Sequence, residues 1–427
     1  MEILIKSVEI VDKPTALHKK RRNVLIKNGV IQEVSTGNRN LKAPKIIDGS
    51  QLKLSLGWFD MRAHFCDPGF ESREDVHSGR KAATAGGFTD VLLQPNTNPV
   101  VETKNEVSYL HSGNQRNLTQ IHVTGSVTSG NQGKELTEML DLHQAGALAF
   151  SDGYEPLWHT NVFGKALQYL EKQEGLLINR PDDRMLSARG QMNEGVNSTM
   201  LGMPGIPKLS EELMVARDLA LLEYNGGRLH FANISSEVSL NLIRAAKKKG
   251  LSVSCDVAVY QLLYHDGLLD DYDTNYKVNP PLRDPKTNRF LKKALAEGLI
   301  DVMVSDHHPQ DEEGKKLEFD LASFGMISLQ EMPSMITTLA EDIDLGILLE
   351  RITYAPRKLL GLPIPKIAKG EPAVLTLFDP QQEWTLDDGT NVSKSRNSPN
   401  FGRELKGKAV AVFNNGKVHL DKSLSVK

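Results

Sequence analysis

Short apolar runs recur through the middle of the chain, and amphipathic stretches of helical periodicity separate them. Eight such runs occur, at residues 57–65, 89–96, 120–127, 147–152, 175–180, 228–236, 251–260 and 300–309. Several of the intervening stretches, such as SEVSLNLIRAAKKKG, open with serine and glutamate and close on glycine, which are signals for the two ends of a helix. The pattern therefore predicts eight strands that alternate with helices.

Eight β/α repeats are typical of a TIM (β/α)8 barrel, in which helices surround a closed parallel sheet. A doubly wound open sheet is the competing α/β arrangement. The count of eight strands and the absence of a glycine-rich phosphate loop favour the barrel. We assign this barrel domain to residues 55–364.

The two ends of the chain alternate apolar and polar residues with the period of strands. Residues 1–54 and 365–427 each contain several short runs of this kind. Asn28-Gly29 and Asn415-Gly416 are the residue pairs that two-residue hairpin turns prefer. Two β-rich ends around a different middle predict one small β-sandwich domain built from both termini.

Composition and charge narrow the class of protein. The chain of 427 residues is 39% apolar and has a formal net charge of −3, which gives no support for a nucleic-acid or membrane-surface partner. Its two cysteines, Cys66 and Cys255, form no disulfide framework, so a reducing cytoplasm is the expected compartment. We also find no apolar run long enough to span a bilayer.

Candidate chemistry should lie at the carboxyl ends of the barrel strands, because TIM barrels build their sites there. Asp306, His307 and His308, at the end of the eighth run, are the most chemically suggestive of these residues. The other polar residues at the strand ends are Arg62, His64, Cys66, Asn96, Asp152, Asn179, Arg180, His230 and Asn233.

Five motifs give the chain a resemblance to the dihydroorotase family of cyclic amidohydrolases, along nearly its whole length. DMRAHFCDPGFESREDVHSG resembles the family pattern D-x-H-x-H-x-R-x-P-G-x-E-x-K-E-D, and QPNTNP matches P-N-T-x-P. NYKVNPPLR, SDHHPQ and SKSRNSP resemble three further family motifs, in the same order. The resemblance implies a TIM barrel with a β-sandwich and a place at the ring-closing step of pyrimidine biosynthesis.

The resemblance also implies a zinc site in the barrel mouth, but this chain retains only part of it. Three retained residues match metal ligands of the family, namely His64, Asp152 and Asp306. Asp306 is in addition the expected catalytic proton carrier. Three other residues, Arg62, Asn179 and Asn233, stand where the family has histidines. Asparagine is a poor zinc ligand and arginine has no free lone pair, so we expect zinc to be absent or weakly bound.

The residues implied to contact substrate are also partly replaced. Asn96 and Asn279 match substrate-contacting asparagines of the family. Cys66 stands where an arginine would hold the substrate carboxylate by two hydrogen bonds. Tyr260 and Gln261 stand where the family usually has two histidines.

The presence of an arginine at position 62 can be explained physically if zinc is absent. Asp152 and Asp306 would otherwise face each other in a partly buried mouth, and two unpaired carboxylates there are costly. We therefore expect Arg62 to hydrogen-bond Asp152, Asp306 or both, and to fill the volume of the metal.

Two functions remain open at this point. The first is a catalytically impaired or inactive dihydroorotase homologue with a structural or regulatory role, and the missing histidines favour it. Because some family members assemble with aspartate carbamoyltransferase, that enzyme is the expected partner, and a homodimer is a further expectation. The alternative is an active dihydroorotase or related cyclic-amide hydrolase, converting carbamoyl aspartate to dihydroorotate at a weakened metal site.

Overall fold

The computed structural model describes residues 2–37, 41 and 43–427. Its strands are β1 Glu2–Ile10, β2 Lys20–Lys27, β3 Val30–Ser35, β4 Lys45–Asp48, β5 Lys53–Leu56, β6 Trp58–Ala63, β7 Phe88–Leu93, β8 Gln120–Gly125, β9 Ala147–Phe150, β10 Leu176–Asn179, β11 Met192–Asn193, β12 Gly205–Ile206, β13 Arg228–Phe231, β14 Val253–Ala258, β15 Val302–Val304, β16 Leu375–Thr385, β17 Glu404–Asn414 and β18 Lys417–Leu420.

The α-helices of the described residues lie between the barrel strands and after the last of them. They are α1 Val76–Ala85, α2 Lys104–His111, α3 Met139–Ala145, α4 Thr160–Glu171, α5 Arg184–Ser187, α6 Val196–Met200, α7 Lys208–Asn225, α8 Glu237–Lys248, α9 Val259–Leu263, α10 Pro285–Ala296, α11 Glu312–Lys315, α12 Met332–Leu339 and α13 Leu345–Leu359. In this part of the chain, no helix is both long and apolar enough to cross a membrane.

Eight parallel strands form the barrel, in the order β6-β7-β8-β9-β10-β13-β14-β15. The last strand returns to the first, since the His64 amide donates to the His307 carbonyl at 2.9 Å. Seven of the eight apolar runs contain one of these strands, and the run 89–96 covers all of β7 except Phe88, so the predicted barrel is confirmed. The runs are apolar without strict alternation because barrel strands are buried on both faces, as β6 is at every position.

The two ends of the chain meet in a second, mostly antiparallel sheet. Its strands follow the order β18-β17-β16-β5-β1-β2-β3, and β4 pairs with β1. This confirms that both termini build one β domain. Both predicted hairpin turns occur, with Asn28 and Gly29 at φ 51° and 77° and Asn415 and Gly416 at φ 50° and 70°.

The terminal sheet packs directly on the barrel. Trp58, which opens β6, lies edge-on to Phe378 of β16 with ring centroids 5.5 Å apart. The Thr376 hydroxyl donates to the Gly87 carbonyl at 2.6 Å, in front of β7. These buried contacts fix the first barrel strands, and with them the residues at their carboxyl ends.

Candidate functional site

The barrel brings the sequence-predicted residues together at the carboxyl ends of its strands and buries most of them. Seven are at most 4% exposed: Arg62, His64, Cys66, Asp152, Asn179, Asn233 and Asp306. Burial removes water as a competing partner, so the polar atoms must bond to one another or to the backbone.

Arg62 is held by four groups at the centre of the mouth. Its Nε donates to Asp306 Oδ1 at 2.9 Å. Its two terminal nitrogens donate to Gln94 Oε1 at 3.1 Å and to the Gly153 carbonyl at 3.3 Å. The ring of Tyr154 covers the guanidinium at 5.0 Å, a cation–π distance. Arg62 therefore forms the ion pair expected with Asp306.

Both carboxylate oxygens of Asp306 accept hydrogen bonds from side chains. Its second oxygen accepts a hydrogen bond from the Tyr260 hydroxyl at 2.5 Å. Burial raises the pKa of Asp306, and the charge of Arg62 and the Tyr260 hydroxyl act in the opposite direction. The residue expected to carry protons is thus bound on both oxygens by side chains of its own barrel.

Asp152 makes no bond with Arg62, contrary to one form of the expectation. Its Oδ1 accepts from the amides of Val127 and Thr128 at 3.0 and 2.8 Å, and its Oδ2 accepts from the Thr128 hydroxyl. The loop after β8 therefore satisfies this carboxylate without a cation. Burial raises the pKa of Asp152 to about 6.

The two asparagines at histidine positions have different surroundings. Asn179 donates to Asp218 of α7 at 2.6 Å and accepts from the Leu157 amide at 2.9 Å, so its side chain joins β10 to α7 and to the loop after β9. Asn233 lies beside Asp306, and its buried side-chain amide has no hydrogen bond of good geometry. Of the two asparagines, Asn233 is therefore the one whose side-chain polar atoms remain without such a bond.

His64 and Cys66 form a pair. His64 Nε2 lies 3.1 Å from the Asn96 carbonyl, which can only accept, so we assign the ring proton to this nitrogen. His64 Nδ1 lies 3.2 Å from Cys66 Sγ and accepts from the thiol. Burial lowers the pKa of His64 to about 4 and raises the pKa of Cys66. Both residues are therefore neutral at pH 7, and the thiol is not activated.

The two expected substrate asparagines are not equivalent. Asn96 donates to the Asp152 carbonyl at 3.0 Å and accepts from the Tyr154 amide at 3.1 Å, so its amide serves the loop after β9. Asn279 is half-buried, and its side chain makes no hydrogen bond to the residues that the structure describes.

Tyr154 and His308 cover the mouth. Their rings stack with centroids 4.0 Å apart and planes within 12°. The loop 393–402 reinforces this cover, because Asn397 donates to the His308 carbonyl at 3.0 Å and accepts from the Gln310 amide at 3.1 Å. The sequence does not predict Tyr154 and Gln94 at the site, because they stand next to motif residues but carry no chemical signal of their own.

Two of the remaining histidines are held inside the barrel wall. His230 lies between Ser254 Oγ at 2.8 Å and Asp256 Oδ2 at 2.9 Å. His307 Nδ1 accepts from the Ser328 amide at 3.2 Å. These contacts tie neighbouring segments together and give the two rings a structural role.

The donor set of the mouth does not fit the zinc that the family resemblance implies. Asp152 and Asp306 already accept bonds on both oxygens, and His64 directs its Nε2 at a carbonyl. Arg62 adds a fixed positive charge among them. No group of three histidine, cysteine, aspartate or glutamate residues in the described part of the chain is arranged to hold a metal ion.

Known proteins resemble this chain in sequence over nearly its whole length. A family model described as dihydro-orotase-like matches residues 52–239. The chain is 38% identical to a dihydroorotase of Pelotomaculum thermopropionicum, over 98% of each chain. It is 35% identical to a dihydroorotase of Pelobacter propionicus, over 98% of this chain and 99% of the relative.

Solved structures share the fold. An L-hydantoinase (dihydropyrimidinase) from Arthrobacter aurescens superposes with a TM-score of 0.84 at 21% identity, covering 98% of this chain and 96% of the other. A D-hydantoinase from Thermus sp. gives a TM-score of 0.80 at 20% identity, covering 100% and 97%. At this level of identity the likeness supports the barrel and its terminal sheet alone.

Proposed function

Because the chain belongs to the dihydroorotase family, we propose that it serves pyrimidine biosynthesis in the cytoplasm as a member without zinc-dependent hydrolase activity, in a structural or regulatory role. The observation that carries the proposal is the buried ion pair between Arg62 and Asp306. In this family, a histidine metal ligand would stand at the position of Arg62. The aspartate at the position of Asp306 would bind a metal ion.

Electrostatics supports this proposal. At about 4 Å and an effective dielectric constant of about 20, a divalent ion and a guanidinium repel each other by about 8 kcal/mol. Arg62 cannot lose its charge, because arginine stays protonated in proteins. A zinc ion would therefore have to displace Arg62 from Asp306, Gln94 and Gly153 at once.

Dihydroorotase activity itself is the second candidate, and the relatives favour it. The relatives named dihydroorotase match this chain at 35% and 38% identity from end to end. His64, Asp152, Asp306, Asn96 and Asn279 also keep the residue types of the family motifs. An active enzyme would require Arg62 to leave the mouth when metal and substrate bind.

Elemental analysis and an activity assay separate the two candidates. The purified full chain is dialysed against excess zinc, and its metal content is measured together with the interconversion of carbamoyl aspartate and dihydroorotate. We expect substoichiometric zinc and no turnover above the uncatalysed rate. Stoichiometric zinc with turnover would establish the second candidate and refute the first.

A variant with the family histidines restored shows whether a lack of zinc in the natural chain could result from misfolding. Arg62→His combined with Asn179→His and Asn233→His returns the histidines that the family pattern implies. We expect this triple variant to take up more zinc than the natural chain, because it gains three neutral nitrogen ligands and loses a fixed cation. Equal zinc uptake by the two proteins would show that Arg62 is no obstacle to metal.

Aspartate carbamoyltransferase is the partner that we propose for a non-catalytic role, because some members of the family assemble with that enzyme. The test mixes the purified chain with the carbamoyltransferase of the same organism and measures sedimentation velocity. We expect a faster boundary that contains both proteins. Two independent boundaries at micromolar concentrations would contradict this partner.

A further inference from the structure

A cavity of about 930 Å³ lies at the rim of the barrel, between three strand-end loops and helix α7. The loops after β8, β9 and β10 contribute Asn131, Trp158 and Arg184 to its walls, and α7 contributes Leu213 and Arg217. The residues that line it are different from those of the barrel mouth. Its volume is within the range of small-molecule sites, so we call it the rim cavity.

Asn131 is a polar residue of the wall that the protein itself leaves unused. It is 5% exposed, and neither its side-chain oxygen nor its side-chain nitrogen has a hydrogen-bond partner in the described part of the chain. Buried polar groups are nearly always paired, so an unpaired amide that lines a cavity indicates a ligand that pairs with it. An asparagine amide presents one acceptor beside a donor, which fits the donor–acceptor edge of a nucleobase.

Other residues of the wall supply a flat ring, apolar surface and a positive charge. Trp158 is 40% exposed, and its indole nitrogen donates to the Gln132 carbonyl at 3.0 Å, which fixes the ring. A fixed aromatic ring is a stacking surface for a base. Met185 and Leu213 add exposed apolar area. Lys134 is exposed and forms no ion pair with the residues that the structure describes, so its ammonium group is available to an anion.

The wall with Trp158 rests on Asn179, one of the asparagines at a histidine position of the family. Asn179 donates to Asp218, and Asp218 Oδ1 accepts from Arg217 Nε at 2.8 Å. Arg217 in turn donates to the carbonyls of Leu157 and Trp158, at 2.6 and 2.5 Å. A residue that replaces a metal ligand of the family therefore supports the rim cavity.

The wall with Asn131 is tied to Asp152 of the mouth. Thr128 begins this loop, and its amide and hydroxyl both donate to the Asp152 carboxylate. The Gly133 amide donates to the Thr128 hydroxyl at 2.8 Å, so the loop is held on either side of Asn131. Both walls are thus bonded to residues at the strand ends, which keeps the cavity preformed.

We propose that the rim cavity binds a nucleoside monophosphate. The base stacks on the indole of Trp158 and pairs its donor–acceptor edge with the amide of Asn131, while the phosphate lies near Lys134. The mouth is already filled by Arg62 and its partners, so the ligand does not enter it. This site is independent of whether the mouth can bind zinc.

Isothermal titration calorimetry of the full chain with UMP, CMP, AMP and GMP tests the site. We expect at least one of the four to bind with one site per chain. The corresponding nucleoside should bind at least about tenfold more weakly, because it lacks the charge that Lys134 attracts. Inorganic phosphate alone should bind more weakly still, since it makes no contact with Trp158 or Asn131.

Two variants identify the residues that hold the ligand. Asn131→Asp should weaken nucleotide binding at least about tenfold, because a carboxylate replaces the donor and repels the phosphate. Asp also tolerates the backbone φ of 56° at this position, so the fold should persist. Lys134→Gln should weaken binding of the nucleotide and leave binding of the nucleoside unchanged. The matched control is Lys81→Gln, at an exposed lysine of α1.

Circular dichroism should show all three variants folded, and Lys81→Gln should bind as the natural chain does. The proposal is overturned if none of the four nucleotides binds even at millimolar concentration. Binding that neither Asn131→Asp nor Lys134→Gln weakens also overturns it, as does phosphate that binds as tightly as the nucleotide. Zinc content and turnover are not measured here, so failure of this site would leave the proposed function standing.

Discussion

Arg62 shows how one side chain can stabilise a pocket that its neighbours would otherwise make costly. Asp306 is buried, and a buried carboxylate without a partner destabilises the fold. The guanidinium supplies one charge and bonds to the carboxylate and to two neutral acceptors. The stability of the mouth therefore depends on a residue that the family pattern does not contain.

A double-mutant cycle tests this dependence. Arg62→Met and Asp306→Asn should each lower the free energy of unfolding by about 3–5 kcal/mol, because each leaves a buried charge unpaired or its hydrogen bonds unmade. The double variant should lose less than the sum of the two, since neither charge remains. Urea denaturation measures all four proteins.

The exposed pair between Glu312 and Lys316, at 2.7 Å, is the matched control for that cycle. Its side chains are more than half exposed, so its coupling free energy should stay below about 1 kcal/mol. Additive effects of Arg62→Met and Asp306→Asn would contradict the proposed ion pair.

The elements of this protein are set mostly by local signals. Strand β6 follows an apolar run, and α8 begins after Ser236, whose side chain accepts from the Val238 amide at 3.2 Å. Helix α7 begins at Lys208, and its N-cap is Pro207, which has an extended backbone with φ −69° and ψ 144°. Ser210, the serine nearest this end, lies inside the first turn, where its hydroxyl donates to the Pro207 carbonyl at 2.9 Å.

The two terminal hairpins touch each other, and this contact leaves no room for a side chain at one of their glycines. A Cβ atom on Gly29 would lie 2.4 Å from Gly416 Cα, whereas a Cβ atom on Gly416 would meet nothing within 4 Å. Both glycines have positive φ, at 77° and 70°. The two positions therefore differ in steric contact and share the same backbone requirement.

Alanine substitutions separate the two effects. Gly416→Ala should lower the free energy of unfolding by about 1 kcal/mol, the cost of a left-handed backbone for an L-residue. Gly29→Ala should cost at least about 1–3 kcal/mol more, because the backbone of the other hairpin must move. Thermal denaturation of both variants measures the difference, and equal losses would show that the hairpins do not touch.

The barrel and the terminal sheet have separate hydrophobic cores, and Phe378 of the sheet reaches into the core of the barrel. Phe378 belongs to the terminal sheet but packs among the buried residues of the barrel, beside Trp58. The first barrel strands, and so Arg62 and His64 at the end of β6, rest on this contact. A change in the terminal sheet should therefore reach the barrel.

Phe378→Ala tests this connection. We expect a loss of about 3–5 kcal/mol, typical of a buried phenylalanine, in one transition seen alike by circular dichroism and tryptophan fluorescence. Phe70→Ala, at a half-buried loop residue, is the matched control and should cost clearly less. Two separate transitions would show that the sheet and the barrel unfold independently.

The sequence alone determined the barrel, the terminal β domain, both hairpins and the family. These depend on periodicity, turn residues and motif spacing, which are properties of short segments. Tertiary structure alone decided that Arg62 binds Asp306 and not Asp152, that His64 pairs with Cys66, and that Tyr154 and His308 cover the mouth. Arg62 and Asp306 stand 244 positions apart, and distances between such residues are set only when the barrel closes.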